Sequence, residues 1–320
     1  MQTLQDRLKI AKRAMARRAL FGVTGIIKKI SYPTMRRLTR VLFAMAYPFL
    51  IRQKRIARES LTIAFDKQKS KAEIEKIFRD CFLNVASGMM ELMYYMEHPQ
   101  WISKMSYLEG QEHLDDALKN GKGVIAVSAH FGNFPLMLLR LVQAGYKTNA
   151  IIRQTRDPDV EKYFLDLRTR LGLNTVYSLP RKQCVDTSLK VLRNNEILFI
   201  PLDQNFGSSS GVFVDFFGQK AATATGPVIF AMRTQAPIIP MFIIRQADDR
   251  HKIIIEPPME LEYREDGQEM LVANTAKMTR LIERYIRWYP QEWGWMHRRW
   301  KSQPPPNSSP QGTTVPEVAL

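Results

Sequence analysis

From Gly121 onward, short apolar runs alternate with stretches of helical period, and this alternation constrains the fold more than any other feature of the chain. Val124–Ala129 reads as a buried strand, Pro135–Ala144 as a helix, Thr148–Ile152 as a strand and Val160–Leu171 as a helix. A short strand near Thr175–Ser178, a helix over Val185–Asn194, a strand at Ile197–Leu202 and a helix near Pro227–Thr234 follow. Strands at Ile238–Ile244 and Lys252–Glu256 and a last helix over Met270–Tyr289 complete the series. Strands separated by helices of this length imply βαβ units and a largely parallel sheet. At 320 residues, one α/β core with extensions is the expected architecture.

Ahead of this region, Ile74, Ile77, Phe78, Phe82, Val85, Met89, Leu92 and Met93 recur at helical spacing between Lys71 and Glu97. They predict an amphipathic helix with its stripe on the core. Its Met-rich end (Met89, Met90, Met93, Met96) suits plain core packing, or the lining of an acyl-chain pocket, since Met is flexible and polarizable.

Charge is concentrated at the other end of the chain. Of a formal net charge of +16, residues 1–60 carry +13, with Asp6 and Glu59 as their acidic residues. Such an arm suits nucleic-acid phosphates or an anionic membrane surface. The aliphatics interleaved with it, and the absence of an aromatic stacking platform or recognition motif, disfavour nucleic acid. The apolar run Val41–Ile51 contains Pro48 and is far short of the roughly 20 residues that span a bilayer as a helix. No small-residue cleavage site follows an early apolar stretch, so a signal peptide is not expected. The reading is a basic, amphipathic, membrane-associating helical arm over residues 1–60; a soluble basic subdomain docked on the core is the plainer alternative.

Ligands of open α/β sheets sit beyond the carboxyl ends of the strands. His130 directly follows the strand Val124–Ala129, with Gly132 suited to a tight turn and Pro135 to the start of a helix. An imidazole there is placed to take a proton near neutral pH, although a strand-end His can equally be structural. His98, His113 and His251 stand in polar sequence and read as surface residues, and His297, among Trp and Arg, as a packing residue. Cys81 and Cys184, the two cysteines, cannot build a disulfide framework or a thiolate zinc site. No phosphate loop, nucleophile elbow or paired metal-ligand motif occurs.

The run His130-Phe131-Gly132-Asn133 resembles a block of the bacterial lipid A biosynthesis (late) acyltransferases, within the lysophospholipid and glycerol-phosphate acyltransferase superfamily. Four further ordered blocks share the resemblance: Ile200–Asn205, Val212–Gly218 with Ala221–Gly226, Ala236–Pro240, and Trp293–Lys301. It covers about residues 40–302 and implies an acyltransferase-like sheet, parallel or mixed, over residues 61–302. It also implies transfer of a fatty acyl chain from acyl carrier protein, or from acyl-CoA, to a hydroxyl of a membrane glycolipid such as a lipid A precursor, with a lysophospholipid or another glycolipid as the alternative acceptor. That reaction needs no metal or organic cofactor and belongs at the cytoplasmic face of the inner membrane. His130 then takes the part of general base. Asn133 and the Gly132 turn orient the site. Arg153 binds acceptor phosphate or is a solvated strand-end residue, while Phe213 and Thr225 bind substrate or, for Thr225, cap a helix.

The superfamily pattern also asks for an acidic residue five positions after the His, where this chain has Pro135; between Asp116 and Asp157 there is no acidic residue at all. Asp203 is the leading surrogate because it ends the strand Ile197–Leu202 on the same sheet edge; a turn cap or an acceptor-binding residue is the alternative. The other ways to read the missing carboxylate are a His that acts without one and a weak or non-catalytic lipid-binding relative. The Pro/Ser/Gly/Thr-rich residues 303–320 are expected to form a disordered tail.

Overall fold

The computed structural model describes residues 4–65, 68–207 and 211–304; nearly all of the expected tail lies outside them. The elements run α1 (Leu4–Ile27), α2 (Tyr32–Ala46), α3 (Ile51–Phe65), α4 (Lys71–Glu97), α5 (Gln100–Met105), β1 (Ser106–Glu109), α6 (Gln111–Lys119) and β2 (Val124–Ser128). They continue α7 (Phe134–Gln143), β3 (Thr148–Ile152), α8 (Pro158–Arg170), β4 (Asn174–Tyr177), α9 (Arg181–Arg193), β5 (Ile197–Pro201), β6 (Val212–Phe216) and β7 (Gln219–Thr223). Last come α10 (Gly226–Thr234), β8 (Ile238–Arg245), β9 (His251–Ile255) and α11 (Gly267–Trp288).

Seven strands form one sheet in the order β1-β9-β8-β2-β5-β3-β4, with every pairing parallel except β8 with β9. Successive residues of a strand face opposite sides, and both sides are covered. Ile125, Val127, Leu198 and Ile200 join a core with Phe78, Ile282 and Trp295, whereas Val124, Ala126, Ile197 and Phe199 join one with Leu136, Leu141 and Met241. Burial on both faces explains why these strands read as continuous apolar runs without alternation. Each fully buried side chain of this size contributes roughly 1.5–3 kcal/mol.

Short elements escaped the periodicity argument. The short edge strand β1 and the helix α6 are too brief or too polar to register. The hairpin β6–β7, antiparallel and separate from the sheet, alternates buried and accessible residues along β6.

The N-terminal helices pack on α4. Tyr32 of α2 stacks on Trp101 with ring centroids 4.9 Å apart, and its hydroxyl accepts from that of Tyr95. Ala57, Leu61 and Phe65 of α3 are buried, Phe65 lying against Trp295. Their outer faces are different: Val41, Met45, Phe49 and Ile51 are exposed, beside exposed Arg37, Arg40 and Arg52. Among the described residues no helix is long and apolar enough to cross a membrane.

Candidate active site

The site follows from strand register. β2 and β5 pair in parallel with Ser128 opposite Pro201, so the residues two positions further on, His130 and Asp203, emerge side by side. His130 Nδ1 lies 2.8 Å from Asp203 Oδ1. Trp293 Nε1 donates to the other carboxylate oxygen at 2.7 Å. Burial alone would raise the carboxyl pKa, but the charge and hydrogen bond of His130 and the Trp293 donor outweigh it and hold Asp203 at about 2. An ionised carboxylate only accepts, so the proton on the ring belongs to Nδ1 and the lone pair to Nε2. Burial likewise disfavours the imidazolium, yet the Asp203 charge and hydrogen bond lift the His130 pKa above its ordinary value. The His130 side chain is 26% exposed and that of Asp203 0%, so the imidazole can meet a substrate while the carboxylate cannot.

The turn that carries His130 is fixed from below. Gly132 has φ +55, and a Cβ there would stand 2.3 Å from the carbonyl oxygen of Ile243, so this position requires glycine. Its N–H donates to the Glu292 carbonyl at 2.7 Å, and Phe131 forms a bridge with Trp293. The aromatic-basic segment at residues 293–301 thus forms the floor of the site, with Trp293 and Trp295 fully buried.

The profile of the family described as bacterial lipid A biosynthesis acyltransferase matches residues 4–302. The chain belongs to that family. This acyltransferase is 27% identical over 287 residues to the lipid A biosynthesis lauroyltransferase of Escherichia coli K12, covering 88% of this chain and 90% of the relative. It is 26% identical over 293 residues to the lipid A biosynthesis palmitoleoyltransferase of the same organism, covering 90% and 92%. A phosphatidylinositol mannoside acyltransferase of Mycobacterium tuberculosis is 28% identical over 132 residues, 41% of this chain and 42% of the relative.

The other residues singled out in the acyltransferase sequence are placed apart from the imidazole. Asn133 is buried at the start of α7 and its Nδ2 donates to the Gly88 carbonyl of α4 at 3.2 Å, so its amide ties two helices together. The Gly132 N–H is likewise occupied. Arg153 is exposed at the end of β3, which β5 separates from β2. Phe213 is half-buried in the β6–β7 hairpin opposite Ala222. Thr225 sits at the N-cap position of α10, yet its side chain makes no capping hydrogen bond. Among the described residues none of these four has a hydrogen bond or ring contact with His130.

Two histidines, His251 and His98, depart from their sequence reading. His251 is not on the surface: it is buried, with Nε2 3.3 Å from Glu91, whose carboxylate also takes a bidentate pair from Arg245 at 2.8 and 2.7 Å. Strand alternation hid it, because the polar neighbours of His251 face outward while the ring faces α4. His98 is half-buried against Tyr94, ring centroids 4.4 Å apart. His297 packs, as expected, but it packs on His130 itself, with ring centroids 5.5 Å apart. Burial, reinforced by the neighbouring His130 and opposed by Asp203, lowers its pKa below the ordinary value. Gln204 is the residue of the site that sequence reasoning passed over: its amide nitrogen lies 3.0 Å from His130 Nε2. The polar Gln204-Asn205 pair after a buried strand was the available signal.

Proposed function

We propose that this acyltransferase moves a fatty acyl chain from a thioester of acyl carrier protein, or of coenzyme A, to a hydroxyl of a lipid A precursor or related membrane glycolipid, with His130 as general base. The observation that carries this reading is the 2.8 Å contact between His130 Nδ1 and the buried, ionised Asp203. A carboxylate in that place stands in for the one Pro135 replaces, and it supports a working base over a non-catalytic relative. The Nε2 lone pair takes the acceptor hydroxyl proton as the oxygen attacks the thioester carbonyl. Asp203 orients the ring and stabilises the imidazolium that forms, and the imidazolium returns the proton to the departing thiolate.

The acceptor is assigned from the family and from the relatives that cover most of the chain. The exposed apolar and basic faces of α2 and α3 support association with an anionic membrane surface, where such an acceptor resides. By the charge of that arm the surface is the cytoplasmic face of the inner membrane.

The test is mass spectrometry of membrane glycolipids from cells with and without the protein, with His130→Ala as control. A glycolipid gaining one acyl chain only with the intact protein is the expected result, and turnover should fall about 10²-fold or more in the variant. An unchanged lipid profile, or a fully active His130→Ala enzyme, would sink the reading.

A further inference from the structure

The donors that surround His130 are nearly all committed. Trp293 Nε1 serves Asp203, the Gly132 N–H serves the Glu292 carbonyl, and Asn133 Nδ2 serves the Gly88 carbonyl. The Gln204 amide is the exception, and its position is informative. It lies 3.0 Å from Nε2 and 3.4 Å from Nδ1 of the imidazole. Within the ring plane a group so nearly equidistant from both nitrogens would run into Cε1, which stands between them. The amide therefore lies over the face of the ring, and the in-plane lone pair of Nε2 stays open to an incoming hydroxyl. With that hydroxyl about 2.8 Å from Nε2, the amide nitrogen stands roughly 4 Å from the attacking oxygen. A carbonyl under attack then has its own oxygen within hydrogen-bond reach of the amide.

The side chain is exposed, but the backbone beneath it is pinned at three successive residues. Asp203 is held by His130 and Trp293. The Gln204 carbonyl accepts from Arg299 at 3.3 Å, a fully buried guanidinium that also donates to the Ala222 carbonyl at 2.6 Å. Asn205 and Ser302 exchange hydrogen bonds, Nδ2 to Oγ at 3.1 Å and backbone N to Oδ1 at 3.2 Å. Preorganised donors held on rigid backbone, needing no rearrangement as charge develops, stabilise transition states most.

We infer that Gln204 is a catalytic residue whose side-chain amide donates to the oxyanion of the tetrahedral intermediate. The inference rests on the acyl-transfer reading. As the acceptor oxygen bonds to the thioester carbon, its proton passes to His130 Nε2 and the carbonyl π pair moves onto the oxygen facing Gln204. When the intermediate collapses that pair re-forms the carbonyl, the C–S bond breaks, and the imidazolium proton goes to the thiolate.

Two near-isosteric variants test it, Gln204→Met and Gln204→Glu; both remove the donor and leave the backbone carbonyl for Arg299. With an acyl carrier protein thioester as donor and a lipid A precursor as acceptor, each should lower kcat by about 10²–10³-fold with KM within about twofold. The acid limb of the pH profile should stay in place for Gln204→Met and move to higher pH for Gln204→Glu, whose charge favours the imidazolium. Wild-type kcat in Gln204→Met, or a loss carried by KM, overturns the inference. So does a full loss in His297→Phe with Gln204→Met unaffected, because the oxyanion donor would then be the second imidazole. His130→Ala is measured in parallel: an active His130→Ala enzyme refutes the acyl-transfer reading itself, whereas an inactive one beside an active Gln204→Met refutes only the role of Gln204.

Discussion

Replacing Asp203 by Asn alters the site by a single atom, and the structure dictates how the new amide must sit. The Trp293 Nε1–H, 2.7 Å from Asp203 Oδ2, is buried and needs an acceptor, so the carbonyl oxygen of the substituted side chain takes that side. Its NH₂ group is then left facing His130 Nδ1, where an amide can only donate. The ring is forced to carry its proton on Nε2, and the lone pair that should receive the acceptor hydroxyl is gone. A second loss adds to the first, because no carboxylate remains to stabilise the imidazolium. Together these should lower kcat by about 10²–10⁴-fold, which corresponds to roughly 3–5 kcal/mol of transition-state stabilisation. The pH dependence provides a separate readout. With His130 as the base, activity of the native enzyme should fall as pH drops through the His130 pKa, which lies above the ordinary imidazole value. Without Asp203 burial acts alone and pushes that pKa down, so the acid limb of kcat/KM should move to lower pH. Steady-state rates from about pH 5 to 9, spanning the ordinary imidazole range, with a thermal melt to show that the variant is folded, measure both. A folded Asp203→Asn enzyme with native kcat and an unmoved acid limb would refute the reasoning.

Gly132→Ala should destabilise the fold by about 1–3 kcal/mol, the usual cost of a strained backbone position, since its Cβ would overlap the Ile243 carbonyl; a melting temperature equal to the native one would contradict this. Glu91→Gln breaks the bidentate pair with Arg245 and leaves a buried cation, so a loss of ~3–5 kcal/mol is expected by denaturant titration. Asp203, held at about 2 in the fold, stabilises the native state above the unfolded carboxylate range. That contribution should disappear as pH falls through the folded value, and Asp203→Asn should flatten the acid side of the stability curve. Reversing Arg37, Arg40 and Arg52 to Glu should release the protein from anionic vesicles in a flotation assay while leaving its melting temperature nearly unchanged; unaltered flotation would remove the basic arm from membrane attachment.

The core of this architecture is legible in the sequence because buried parallel strands and amphipathic helices advertise themselves. Lys71–Glu97 and Thr148–Ile152 coincide with α4 and β3, and the remaining boundaries from Gly121 on lie within a few residues. The His130–Asp203 pair is legible for a related reason: both residues end strands of one sheet, and parallel register then brings equal overhangs together. What escapes is set by atoms rather than by pattern. Asn133 has the residue type of a site but commits its amide to Gly88. His251 has polar neighbours yet turns its ring into the Glu91–Arg245 pair. Gln204 announces only a polar strand end until the imidazole it covers is in place.

The floor of the site has a consequence for when the enzyme can first act. Asp203 depends on Trp293, the Gly132 turn on Glu292, and the Asp203–Asn205 loop on Arg299 and Ser302. A chain leaving the ribosome presents His130 and Asp203 long before any of these partners exist. With 90 residues between Asp203 and Trp293 and synthesis at about 5–20 residues per second, that interval is roughly 5–20 s. The basic helices, translated first, are free to find a surface throughout it. On the proposed reading of the arm and of His130, attachment precedes competence: the nascent chain can settle at the membrane surface before the base has been assembled.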